Sequence, residues 1–267
     1  EQQRTTALSE IAQDYLRADL LDRAERLFTE LLERDVRDTQ SARQLLDIYE
    51  QEKDWVKAIA QAERLQGEEP QFSSNLLAHF HCERAEQSLS QGNFDEARKA
   101  LRQARRYRPK HPRASLIGGD IARGEGELAL ALTDYEVACE RQPELFVLIG
   151  ARMLAVAEQL ENVPAFERWL ENFAKSSRQT SAFIMMAHLI SRHDIEEAVD
   201  TLMQMLDEQP TIRGLEALVN VVHEHGLDLS QINPDAIAQL MKKLRDTQPR
   251  YRCKQCGYSG SEHHWLC

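Results

Sequence analysis

Three of the five cysteines crowd the end of the chain: Cys253, Cys256 and Cys267 fall within the last fifteen residues, whereas Cys82 and Cys139 are isolated. Cys253-Lys254-Gln255-Cys256-Gly257 is a C-x2-C-G knuckle. Two thiolates at that spacing converge on one metal ion, and the glycine permits the tight backbone turn that points amides at the sulfurs. Thiolate sulfur suits iron and zinc alike, so the knuckle predicts one iron or zinc ion without choosing between them. A tetrahedral site needs four ligands. A second C-x2-C would place the fourth three residues past Cys267, so the tail reads as the opening part of a rubredoxin-like or zinc-ribbon motif. Two other readings stay open. His263 or His264 could complete a Cys3His set, or the cysteines could be plain reduced thiols. A redox dithiol has less support, because no thioredoxin-like βαβ pattern surrounds the pair. An odd total with two isolated members makes a poor disulfide framework and suits a reducing cytoplasmic setting better.

A second group is cationic. Arg98, Lys99, Arg102, Arg105, Arg106, Arg108, Lys110 and Arg113 have no acid between them, although the chain carries 33 Lys and Arg against 44 Asp and Glu, a formal charge of −11. Arg98, Arg102, Arg105 and Arg106 share one helical face. Such a face is a solvated exterior or a dock for an acidic protein segment or an anionic lipid surface. Arg113, Asp120 and Arg123 fall at i, i+7 and i+10, one stripe of a helix. His79 and Cys82 are i, i+3 on a predicted helix, but no third ligand of suitable spacing accompanies them. The acidic balance argues against nucleic acid as a partner. No P-loop, G-x-G-x-x-G after a strand, G-x-S-x-G or H-E-x-x-H is present, so no enzyme signature surfaces.

Helices must position these groups. Glycine totals 11 and proline 8, and no segment alternates apolar and polar residues long enough for a sheet. Apolar positions recur at three- and four-residue spacing, as in Leu20, Ala24, Leu27, Phe28 and Leu31, the pattern of an amphipathic helix. The longest apolar run, Ala182 to Ala187, has six residues, and mean hydropathy is −0.55. A membrane-spanning helix needs about 20 apolar residues, so none is expected within this chain, and no signal peptide is visible. Glu1 in place of an initiator Met suggests a fragment or a processed chain.

The helical pattern repeats. A cassette of Ala, a residue four on, an apolar residue three further and then Pro occurs as Ala58/Ala62/Leu65/Pro70, Ala97/Leu101/Ala104/Pro109, Ala131/Tyr135/Ala138/Pro143 and Ala198/Leu202/Met205/Pro210. Ala24/Phe28/Leu31 is an earlier copy without the proline, and Ala165/Trp169 a degenerate one. Successive anchors lie 34, 39 and 34 residues apart from Ala24 to Ala131. Gly92 and Gly126 sit at the expected turns between helices, and Pro164 and Pro234 at helix starts. With these anchors the chain resembles the tetratricopeptide repeat, whose small Ala lets paired helices approach closely. Tyr15 and Tyr49 stand where that family places its first-helix aromatic. In such arrays first-helix side chains line a groove. The resemblance therefore adds Arg43 and Asp47 to Arg113, Asp120 and Arg123 as candidate contacts for a partner peptide, beside Arg98, Arg102 and Arg105 of the basic face. The expected fold is an all-α tetratricopeptide-repeat superhelical solenoid over residues 1–249, about seven hairpins, with a rubredoxin-like or zinc-ribbon knuckle over 250–267. The knuckle is expected to pack as a clasp on the last repeats through Tyr251, Tyr258 and Trp265.

Repeats followed directly by Tyr251-Arg252-Cys253, Cys256-Gly257 and Trp265…Cys267, on an acidic body, are similar to the lipopolysaccharide assembly protein B family of Gram-negative bacteria. That resemblance implies an N-terminal membrane anchor and further repeats ahead of the stretch seen here, and a four-cysteine rubredoxin-like module of which three cysteines stand here. It implies a non-enzymatic adaptor at the cytoplasmic face of the inner membrane that controls lipopolysaccharide synthesis. The implied partners are a membrane AAA+ protease, the deacetylase of lipid A synthesis, and other lipopolysaccharide-assembly proteins. Read from the residues alone, two alternatives remain: a metal-dependent redox sensor or electron carrier using the knuckle, and a generic peptide-binding co-chaperone.

Overall fold

The structure, a computed structural model, describes residues 2–65, 70–226, 234–247, 251–252 and 259–260. Fourteen α-helices among them pair in chain order. They are α1 (Gln2–Arg17) with α2 (Leu21–Arg34), α3 (Thr39–Gln51) with α4 (Trp55–Leu65), α5 (Pro70–Ser90) with α6 (Phe94–Tyr107), and α7 (Pro112–Gly124) with α8 (Leu128–Arg141). Then come α9 (Phe146–Gln159) with α10 (Val163–Ser177), α11 (Thr180–Ile190) with α12 (Ile195–Glu208), and α13 (Ile212–Glu224) with α14 (Pro234–Thr247). The expected all-α repeat architecture stands. The chain divides into two compact units, Glu1–Gln142 and Pro143–Cys267.

In the first unit the recurring small residue is what lets the helices close up. Ala24, Ala58, Ala97 and Ala131 are fully buried, and so are Phe28 and Tyr135 in the next slot. The chain reverses between paired helices through a residue with positive φ: Asp19 (57°), Lys53 (57°), Gly92 (73°) and Gly126 (81°). The left-handed region is cheap for glycine and costs other residues roughly 1–2 kcal/mol, so Gly92 and Gly126 suit their turns better than Asp19 and Lys53 do. Asp38 starts α3 by accepting from the amides of Gln40 and Ser41, both at 3.1 Å, and Asn93 starts α6 by accepting from that of Glu96 at 3.2 Å. Pro109 stands just past the end of α6, as the cassette predicts. Pro70 is the first residue of α5. A proline is tolerated there because a first-turn N–H has no helical acceptor to lose.

The second unit opens on a 3-10 turn, Pro143–Leu145, that leads into α9. Its degenerate copy differs from the sequence expectation by one position. Phe166 and Leu170 of α10 are fully buried, with Phe173 at 5% exposure, whereas Ala165 and Trp169 are half-buried. The 166/170/173 stripe is the more apolar of two adjacent stripes and therefore takes the core. Trp169 lies over Phe173, ring centroids 5.0 Å apart and 7° from parallel. Ala198, Leu202 and Met205 of α12 fill their slots as expected, and Leu218, Val222 and Leu240 extend the same core into α13 and α14.

After α14 two short strands, β1 (Tyr251–Arg252) and β2 (Ser259–Gly260), pair antiparallel, with Tyr251 opposite Gly260 and Arg252 opposite Ser259. No described helix is long and apolar enough to cross a membrane.

Candidate protein-interaction surface

α3 and α7 carry the groove residues expected from the sequence. Arg43 and Asp47 lie one turn apart on α3, both exposed. Burial, and then the charge of Glu50, raises the carboxyl of Asp47 above its ordinary range. On α7, Arg113 turns back onto α5 and is not presented to a partner. Its Nε donates to Glu86 Oε1 at 3.1 Å, Nη2 to Glu86 Oε2 at 2.7 Å, and Nη1 to Glu83 Oε1 at 2.6 Å. His79 Nδ1 lies 3.2 Å from Nη1. Burial works against the charge of this guanidinium, but Glu86 and Glu83 outweigh it and hold the pKa above the ordinary value. Such a fork matched to carboxylates is stronger and more directional than a lysine contact.

Asp120 also looks inward. Its Oδ1 accepts the Tyr135 hydroxyl at 2.6 Å, and burial together with that bond pushes the tyrosine up to about 12. Arg123 is exposed, its Nη2 3.8 Å from Asp120. The expected α7 stripe thus divides: Arg113 and Asp120 tie helices together, while Arg123 is exposed, as are Arg43 and Asp47 on α3.

The basic run divides in the same way. Arg98 reaches Glu125 at 2.8 Å, Lys99 meets Glu96 at 2.7 Å, and Arg105 Nη2 sits 2.9 Å from both carboxylate oxygens of Asp134 on α8. Arg108 donates to Asn75. Of that face Arg98, Arg102 and Arg106 are exposed and Arg105 is half-buried. Glu83 and Glu86 are the residues that sequence reasoning missed. A signal was present, since Asp47, Glu86 and Asp120 recur at the same 39- and 34-residue steps as the turns.

His79 and Cys82 do not join in a metal site. His79 contacts Arg113, and Cys82 is fully buried, its thiol pushed up to about 12 by burial. Cys139 is likewise buried and likewise shifted to about 12. His81 stacks on Tyr107 with centroids 5.7 Å apart, and burial, then Arg84, lowers it to about 4. Among the described residues no group of three or more His, Cys, Asp or Glu side chains could hold a metal. Cys253, Cys256 and Cys267, with His263, His264, Tyr258 and Trp265 and the Tyr251 side chain, lie outside the described residues. What is described there is the β1–β2 pairing, which closes the ends of the segment carrying Cys253, Cys256 and Gly257.

A family model for the tetratricopeptide repeat matches residues 9–71 and 83–145. Along its whole length the chain is 27% identical to lipopolysaccharide assembly protein B of Escherichia coli K12, covering 69% of that protein. It is also 27% identical to the protein of that name from Haemophilus influenzae, covering 67% of it. Among solved structures, yeast Tom70 superposes with a TM-score of 0.45 at 20% identity, over 84% of this chain and 46% of that one. MamA gives 0.44 at 15% identity, over 67% of this chain and 94% of that one.

Proposed function

We propose that this chain, a tetratricopeptide-repeat scaffold related along its whole length to lipopolysaccharide assembly protein B, is a non-enzymatic adaptor that controls lipopolysaccharide synthesis. It works at the cytoplasmic face of the inner membrane, where it presents the deacetylase of lipid A synthesis to a membrane AAA+ protease and meets other lipopolysaccharide-assembly proteins. The observation that carries this reading is the full-length similarity, knuckle included. The geometry supports it through exposed charged residues on two first helices, Arg43 and Asp47 on α3 and Arg123 on α7. Mixed charge at an interface selects the partner and its register more than it adds affinity.

In the same reading Cys253, Cys256 and Cys267 supply three ligands to an iron or zinc ion. The donor set fits: thiolates are the soft ligands both metals accept, and the β1–β2 pairing ties together the ends of the C-x2-C-G segment. A bound ion would cross-link that segment and hold it folded. The knuckle follows α14 closely, so it serves as a clasp on the last helices.

The test is recovery of the deacetylase and the protease by the full-length protein from solubilised inner membranes. Wild type is compared with Cys253→Ala and with Arg43→Glu/Asp47→Lys/Arg123→Glu. Lower recovery by the triple variant supports the surface, and lower recovery with loss of metal by Cys253→Ala supports the clasp. Equal recovery by all three would sink both.

A further inference from the structure

The second unit contains a groove that the adaptor reading does not use. α10 and α12 flank α11, leaving between them a cleft of about 810 Å³. Its floor is a stripe of α11, Phe183, Met186 and Ile190, at i, i+3 and i+7, and all three are half-buried. α11 is apolar almost all round, which marks a helix meant to be covered, yet this stripe opens onto the cleft. Two of the floor side chains around it, Met186 and Met205, are methionines, which adapt their shape to whatever lies on them.

The α12 wall is acidic. Glu197, Thr201, Gln204 and Glu208 follow one another on one face at i, i+4, i+7 and i+11, a span of about 17 Å at helical rise. Among the described residues no cation forms an ion pair with Glu197 or Glu208. Across the cleft, Lys175 of α10 is held by Glu171 at 2.6 Å. Counted over the whole lining, five carboxylates stand against three permanent cations.

We propose that this groove binds a single amphipathic helix of a partner protein, about three turns long. Its apolar stripe lies on Phe183, Met186 and Ile190, and a Lys/Arg flank lies along Glu197 and Glu208. Floor length, i/i+3/i+7 spacing and the one-sided acidic wall together fit a helix laid in a groove. A second copy of this chain is a poorer occupant, since two bodies of net charge −11 repel.

The test uses the full chain with [13C]methyl-methionine labelling and two synthetic amphipathic helical peptides of equal length, one of Leu and Lys, one of Leu and Glu. The Leu/Lys peptide is expected to move the Met186 and Met205 methyl resonances while leaving Met153 and Met241 in place. Glu197→Lys/Glu208→Lys should weaken it about tenfold, and the Leu/Glu peptide should bind wild type at least that much more weakly. Equal binding of both peptides, shifts spread over all methionines, or indifference to the double reversal would overturn the proposal. So would a Met186 shift that grows with protein concentration alone, which assigns the groove to a second copy.

Discussion

Arg113 holds α7 to α5 through two carboxylates, so removing it leaves Glu83 and Glu86 partly buried with like charges side by side. Arg113→Ala is expected to cost about 1–2 kcal/mol, the range of a charge-assisted pair discounted for partial exposure, and Arg113→Lys should recover only part of that; thermal unfolding measures both. His81 makes a pH prediction. Its folded pKa of about 4 lies below the ordinary 6.5, so the unfolded chain takes up the proton first. Stability from this site is complete above the unfolded value and is lost as pH falls from there towards the folded one. The loss between pH 7 and pH 5 should be about 2 kcal/mol. His81→Phe keeps the stack on Tyr107 and should flatten that part of the profile; an unchanged slope in urea unfolding would refute the assignment. Neither role was legible in the sequence. Spacing puts Arg113 on a stripe with Asp120 and Arg123, but it does not say whether that stripe meets solvent or the next helix. That depends on residues 27 and 30 positions away.

Helix-to-helix reversals carry the element-scale predictions. An added Cβ at Gly92 or Gly126 would meet nothing within 4 Å, so Gly→Ala there reports backbone strain alone. Each should destabilise by about 1 kcal/mol, and Lys53→Gly, in the equivalent turn, should stabilise by a fraction of that; denaturant unfolding decides. Gly119 fails differently. A Cβ there would lie 2.4 Å from the Tyr135 ring, so Gly119→Ala is an overpacking change expected to cost about 1–3 kcal/mol, relieved in part by Tyr135→Leu. The glycine turns were legible because two glycines 34 residues apart mark a period. Asp19, Lys53 and Glu161 take the same backbone conformation with nothing in their chemistry to announce it. The register of α10 was also out of reach: the small anchor of the other copies points to Ala165, while bulkier Phe166 and Leu170 compete for the same core and win by area.

Across the whole chain, the repeat was legible because each helical pair must bury its apolar stripe on a neighbour, which writes one pattern many times. The groove over α11 was not, because the same apolar residues would read identically had α10 and α12 closed over them. The terminal cysteines were legible as chemistry, from ligand type and spacing. If the clasp reading is right, elemental analysis of the purified protein finds iron or zinc, and Cys253→Ser and Cys256→Ser each lose it. Visible absorbance then separates the two, since thiolate-bound iron is coloured and zinc is not.

Cys82 and Cys139 have no exposed surface, and their thiols are held up to about 12. Alkylating reagents need a thiolate they can reach, so under native conditions these two positions refuse maleimides. Any label the folded protein takes up therefore reports on Cys253, Cys256 or Cys267. Where a metal holds those thiolates, uptake should appear only after chelation, so the wild-type chain reads out its own metal occupancy without prior removal of background cysteines.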